Sequence, residues 1–145
     1  MINKIKIILI LFLLLSHANI SFALTNFFEQ GKKKYAEEKY EESKFLFQRS
    51  IVFNPKDAKS YLYLAKIYKF EKNKNKEEKN INTVLLLDPN NEEALYLLME
   101  IELEKSNYSK VKDLVKIFEN VCKNFCDKKE SILDSLKNLE PKNES

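Results

Sequence analysis

Apolar and polar residues alternate along this chain in a pattern that recurs. Ile51-Val52-Phe53-Asn54-Pro55 closes one apolar run, and Leu85-Leu86-Leu87-Asp88-Pro89 closes the next in the same order: apolar residues, an Asn or Asp, a proline. A short polar step follows each proline, and a periodic run follows the step. Tyr61, Leu64, Ala65 and Tyr68 fall at i, i+3, i+4 and i+7, one face of a helix. Leu95, Leu98, Met99 and Leu103 repeat nearly the same spacing. Asp57, just ahead of Ala58, is placed to cap the first of these helices. Further on, Ile132, Leu133, Leu136 and Leu139 share a helical face. Asp127, with Glu130 three residues later, gives that segment a start signal, and Pro141 gives it a stop.

The step from Pro55 to Pro89 is about 34 residues, the period of a helical repeat. The first block, Leu24 to Asp57, carries Phe27, Gly31, Tyr40, Ser43, Phe47 and Pro55. Lys34 stands where a Tyr is usual, with Tyr35 beside it. The second, Ala58 to Asn91, carries Tyr61, Leu64, Ala65, Tyr68, Val84 and Pro89. Glu77 stands in it where a small residue usually lets two helices touch, and its turn, Lys72 to Lys76, is heavily charged. The third, from Glu92, carries Leu95, Leu98, Asn107-Tyr108, Val111 and Phe118, and lacks the closing proline. In these positions the chain resembles the tetratricopeptide repeat (TPR) family, a helix–turn–helix unit of the same period.

The resemblance and the periodicity together imply an all-α, right-handed α-solenoid of three TPR-like helix pairs plus a C-terminal capping helix. Helices are expected near 25–36, 40–53, 58–70, 76–87, 92–104 and 108–124. The expected organisation is a leader at 1–23, a repeat domain at 24–140 (repeats about 24–57, 58–91 and 92–124, cap about 127–139) and a polar tail at 141–145. The seventh helix should lie over the third repeat, with Lys128, Asp134 and Lys137 outward.

The leader reads as a secretory signal peptide. Lys4 and Lys6 form its positive end, Ile7 to Leu15 its apolar core, and Ser21-Phe22-Ala23 its cleavage site. The cut is expected after Ala23, with Ala18 as the second choice. The rival reading is an uncleaved anchor. Ile5 to Leu15 is too short to cross a hydrocarbon core of about 30 Å, and extending it would bury His17 and Asn19. An exported destination follows, the periplasm first and the extracellular medium second.

Composition narrows the function. The 145 residues are 44% hydrophobic and 32% charged, with one glycine and three prolines, which favours helices over hairpins. The net charge is +3; with Lys4 and Lys6 set aside, 23 basic residues face 22 acidic ones, a net of +1. That balance gives no case for nucleic acid. The only histidine lies in the leader and the only glycine is Gly31, so neither an imidazole base nor a phosphate-cradling loop is on offer. Two cysteines without histidine cannot complete a four-ligand zinc site. Runs such as Glu92, Glu93, Glu100, Glu102 and Glu104 read as solvated helix faces. No nucleophile–base pair can be named, and no catalysis, cofactor or metal is expected.

Cys122 and Cys126 admit two readings, buried thiols or a disulfide. Export favours the disulfide, and the pair falls where the sixth helix should end and the cap begin. So short a loop contributes only about 2 kcal/mol through loop closure; its main effect would be to fix the angle of the cap helix.

In TPR proteins the first helix of each pair lines a concave face. Carried onto this chain, the ligand-facing positions are Phe28, Lys32 and Tyr35, then Lys59, Leu62, Lys66, Lys69 and Phe70, then Glu93, Tyr96, Glu100 and Glu104. The implied face has an aromatic floor, a basic middle and an acidic end, suited to a protein or peptide ligand. The Lys-and-Asn clamp that some family members use for a chaperone's terminal carboxylate is not reproduced, since Lys32 sits where the first Asn would be. Two functions are expected from different classes: an exported scaffold or adaptor binding a protein segment in the cell envelope, or a structural subunit packed into a larger envelope assembly through its convex face.

Overall fold

The computed structural model describes residues 27–139 and resolves into two compact units, residues 27–63 and 64–139. The expected leader with its expected cleavage site, the first residues of the expected first helix and the expected polar tail lie outside the described residues. Seven helices occur among the described residues: α1 over 27–36, α2 Tyr40–Phe53, α3 Ala58–Phe70, α4 Lys74–Leu87, α5 Glu92–Glu104, α6 Tyr108–Val121 and α7 Lys128–Leu139. No strand occurs among them.

The repeat period is written into the backbone. Glu38, Lys72 and Ser106 all take left-handed conformations, with φ of 58°, 57° and 61°. Each ends the first helix of a pair with the same two bonds: Glu38 N to Tyr35 O and Lys39 N to Lys34 O, then Lys72 N to Lys69 O and Asn73 N to Tyr68 O, then Ser106 N to Leu103 O and Asn107 N to Glu102 O. This is the Schellman turn, which satisfies the last carbonyls of a helix. The ends of the second helices repeat as well. Asn54, Asp88 and Cys122 donate their N–H groups to Ser50, Val84 and Phe118. The first two precede Pro55 and Pro89. Cys122 occupies the same phase without a proline after it.

In the first unit α1 and α2 touch through Gly31. A Cβ there would lie 2.7 Å from Phe47 Cε1, so the position has room for glycine alone. Ser43 Oγ donates to Gly31 O at 2.9 Å and fastens the crossing. Asp57 caps α3 by accepting from Ser60 N, and its other oxygen accepts from Ser60 Oγ (2.5 Å) and from Ser50 Oγ of α2 (2.9 Å). Three buried hydroxyls in this unit, Ser43, Ser50 and Ser60, sit inside because two acceptors, Gly31 O and Asp57, are there to meet them.

In the second unit α5 is the hub. Ala94, Leu95, Leu97, Leu98, Met99, Ile101, Glu102 and Leu103 are all buried, as expected of a helix apolar on most sides. α4, α6 and α7 pack on it, and α7 also packs on α6.

Two helix limits and one helix face differ from expectation. α4 starts at Lys74, two residues earlier than expected, because Asn73 caps it by accepting from Lys76 N. α6 ends at Val121 instead of 124, because Cys122 is extended (φ −65°, ψ 139°). α7 buries only Ile132 and Leu136; Leu133 and Leu139 stay exposed, so its apolar seam is narrower than the sequence pattern.

Candidate functional site

The expected site residues of the first unit join an aromatic cluster. Phe28 meets the rings of Phe47 and Tyr63 at 5.8 Å each. Tyr35 lies edge-on to Tyr63 at 5.1 Å and to Tyr40 at 5.6 Å, and Phe47 stacks on Tyr63 at 4.9 Å. Phe28 and Tyr35 are half-buried, with part of each side chain in solvent. Lys32 pairs with Glu29 at 3.3 Å and lies 5.6 Å from the centre of the Phe28 ring. Lys59 is exposed. Leu62 is 8% exposed and belongs to the core, so a ligand would reach little of it. Tyr63 and Phe47 complete this cluster and were not among the expected site residues; two more aromatics at helical spacing carry no sequence signal that separates floor from core.

In the second unit the last turns of α3 face α5, and charges join them. Lys66 pairs with Glu93 at 2.5 Å and Lys69 with Glu100 at 2.5 Å; at the start of α4, Lys74 pairs with Glu104 at 2.6 Å. Tyr96 donates its hydroxyl to Glu100 at 2.9 Å. Burial and the neighbouring Glu100 push the Tyr96 phenol above 10.0. Lys66 and Lys69 of the expected basic middle therefore face the acidic end as a ladder of pairs, each neutralised by the glutamate across from it, while no such partner is shown for Lys59 among the described residues. Phe70 stands out at the end of α3, 65% exposed. Tyr96, Glu100, Leu103 and Glu104 form one wall of a cleft of about 250 Å³, and Ser131, Ile132, Ser135 and Leu139 of α7 form the other.

Two buried carboxylates flank this face, with opposite solutions. Glu102, 1% exposed, accepts from Asn107 Nδ2 at 2.6 Å and Lys110 Nζ at 2.8 Å. Burial pushes its carboxyl up, but the bonds from Lys110 and Asn107 and the charges of Lys110 and Lys105 outweigh it and hold the group below 4.5. Glu77, also 1% exposed, leaves Oε2 without any hydrogen-bond partner. Burial pushes it above 4.5, against the pull of Lys74 and Lys69, with Glu104 and Glu100 adding to the rise.

The turn after α6 holds the remaining expected residues. Cys122 and Cys126 are joined as a disulfide, with Cα atoms 5.3 Å apart. Glu92, the first residue of α5, accepts three consecutive N–H groups of this turn through one oxygen: Lys123 at 2.7 Å, Asn124 at 2.8 Å and Phe125 at 3.0 Å. The bond from Lys123 is the main reason its carboxyl lies below 4.5; partial desolvation opposes it, and the Asn124 and Phe125 bonds add to the lowering. The first N–H groups of α7, those of Lys128 and Lys129, go to the carbonyls of Phe125 and Cys126. Among the described residues, no group of three or more His, Cys, Asp or Glu is placed to hold a metal ion. No helix among them is long and apolar enough to cross a membrane.

No family model matches the chain, and no curated protein does. Solved structures match it in fold. The second TPR domain of human RPAP3, solved with the HSP70 peptide SGPTIEEVD, has a TM-score of 0.69 at 16% identity and covers 81% of this chain and 98% of its own. The TPR2B domain of yeast Sti1, solved as a pHsp70 complex, matches at 0.69 with 12% identity over 81% and 98%. The Yersinia enterocolitica type III secretion chaperone SycD, solved with a peptide of the translocator YopD, matches at 0.69 with 15% identity over 81% and 92%. The fold is therefore all-α and TPR-like, built of helix pairs with a capping helix after them.

Proposed function

We propose that this chain is an exported, non-catalytic scaffold or adaptor that holds an extended or helical protein segment in the cell envelope. The proposed ligand-facing positions are Phe28, Lys32, Tyr35 and Lys59 on the first unit and, taken by itself, Lys66, Lys69, Phe70, Glu93, Tyr96, Glu100 and Glu104 on the second. One observation carries this reading: the half-exposed aromatics Phe28, Tyr35 and Tyr96 and the exposed Phe70 all stand on first helices of the pairs, among charges that are already paired. Two neighbours of this fold were solved with peptides and a third as a complex, which supports it.

The ion-pair ladder changes the chemistry expected of the ligand. An acidic segment would have to take Lys66 and Lys69 from Glu93 and Glu100, and pairs that water still reaches, as these do, exchange for little net gain, about 0–1 kcal/mol each. Apolar and aromatic contacts then supply most of the affinity, and charge sets direction and association rate.

A second reading has its own support. The second helices carry exposed apolar side chains: Phe45 (57%), Val52 and Phe53 on α2, Leu86 on α4 and Ile117 on α6. Such residues suit a subunit packed permanently into a larger assembly. Affinity capture from native envelope extract with the wild-type chain and with Phe28→Ala/Tyr96→Ala separates the two. Loss of the captured protein with the double variant supports the adaptor; unchanged capture in a fixed complex supports the subunit.

Export rests on Lys4 and Lys6, the apolar core and Ser21-Phe22-Ala23, together with a disulfide suited to an oxidising compartment. N-terminal sequencing of exported material should begin at Leu24. Membrane-bound protein that retains Met1 would overturn the soluble, exported reading.

A further inference from the structure

We propose that the Cys122–Cys126 pair is a reversible thiol–disulfide exchange site, opened by a dithiol reductant, and that α7 is the element it releases. Four observations carry this. Cys126 is the more exposed residue of the pair and Cys122 the half-buried one, so a reductant approaches from the Cys126 side. The disulfide occupies the phase at which the earlier repeats close with Asn54-Pro55 and Asp88-Pro89, so the third repeat replaces a rigid, permanent turn by one that chemistry can open. The turn is also where α7 is anchored: its first N–H groups rest on Phe125 O and Cys126 O, and Glu92 ties the turn to the start of α5. Finally, beyond this turn α7 is held by a narrow seam. It packs on α5 and α6 and pairs Lys129 with Glu119 at 3.2 Å, but it is 12 residues long, near the limit below which isolated helices are marginal, and it buries only Ile132 and Leu136.

The exchange balances as follows. A thiolate of the dithiol attacks Cys126 Sγ and forms a mixed disulfide; the Cys122–Cys126 bond breaks, and Cys122 Sγ leaves with the electron pair and takes up a proton. The second thiolate of the dithiol attacks its own sulfur in the mixed disulfide, and Cys126 leaves as a thiolate that is protonated in turn. The reductant ends as a disulfide, two electrons poorer, and the chain gains two thiols.

Release of α7 would remove one wall of the cleft that holds Tyr96, Glu100, Leu103 and Glu104. Redox state would thereby set how much of the α5 face a ligand meets. That last consequence rests on the binding role proposed above for α5; the release of α7 does not.

The test uses the full exported chain, oxidised, with dithiothreitol as the reductant and no denaturant, followed by hydrogen exchange. Expected are complete reduction under native conditions, exchange of the α7 amides faster by about tenfold or more, unchanged protection of α5, and recovery of the slow pattern on reoxidation. A disulfide that yields only in denaturant would overturn the exchange site. Native reduction with α7 exchanging as before would overturn the latch. Wild-type protein answers both questions, so nothing depends on whether a cysteine variant folds. No partner is involved, so failure of the proposed binding role would leave this result standing.

Discussion

Glu77 is the residue whose chemistry departs furthest from its surroundings. Its folded-state pKa is raised by burial. The stability it permits is therefore fully present below about 4.5, the unfolded value, and is lost as pH rises through the raised folded value. Glu77→Gln removes the charge and with it that loss. The variant should be more stable than wild type at neutral pH, because only wild type must bury a charge there, and the two should converge below about pH 4.5, where both are neutral. Chemical denaturation at several pH values measures it, and equal stability at pH 7 would refute the buried, unpaired state. Gly31 makes an opposite kind of demand. Gly31→Ala gains helix propensity of about 0.5–1 kcal/mol but drives a methyl to within 2.7 Å of the fully buried Phe47 ring. Overpacking of that kind costs about 1–3 kcal/mol and should win. Thermal denaturation should show a lower Tm, and a higher one would mean that α1 and α2 do not meet there.

At the scale of elements, the Schellman turns are the devices the sequence hid best. Three non-glycine residues hold φ near +60°, one in each repeat, and nothing in Glu38, Lys72 or Ser106 announces it, because glycine is the usual signal. Each stores strain of about 1–2 kcal/mol, more than the entropy of about 0.4–1 kcal/mol that a glycine adds to the unfolded chain. Lys72→Gly and Ser106→Gly should each stabilise the protein by about 0.5–1 kcal/mol on that balance, read from denaturant midpoints; destabilisation by either would contradict the turn assignment. The turn after α6 shows the reverse sensitivity to acid. Glu92 is held below 4.5 by the N–H groups of Lys123, Asn124 and Phe125. What it contributes is present above 4.5 and is lost as pH falls through the lowered folded value. Amides of α7 should lose protection on acidification in wild type, while Glu92→Gln should show weaker protection at neutral pH and little further change. Alkylating the unfolded, unreduced native protein should add no mass at Cys122 and Cys126; uptake of two groups would rule out the disulfide.

At the scale of the whole molecule, the fold was legible because its period is covalent. Pro55 and Pro89, one repeat apart, and apolar residues in phase with them locate the helices, and α2, α3 and α5 fall where those signals place them. What stayed hidden depends on neighbours in space. Lys66 and Lys69 look like free cations in the sequence, and only the placing of α3 opposite α5 pairs them with Glu93 and Glu100. Leu62 has the spacing of a face residue yet lies in the core, since a small rotation of the helix decides the matter and the pattern does not resolve it. Glu77 breaks the repeat pattern visibly, but that its Oε2 is buried without a partner follows only from packing.

The proposed ligand face is open to one direct measurement: titration of the protein captured by the wild-type chain against wild type and against Phe28→Ala/Tyr96→Ala, at low and at high salt. Truncating two aromatic contacts should weaken binding by about tenfold or more, by the same factor at both salt concentrations because the lost contacts are apolar. Binding as tight as wild type by a correctly folded double variant would place the ligand elsewhere and contradict the adaptor reading.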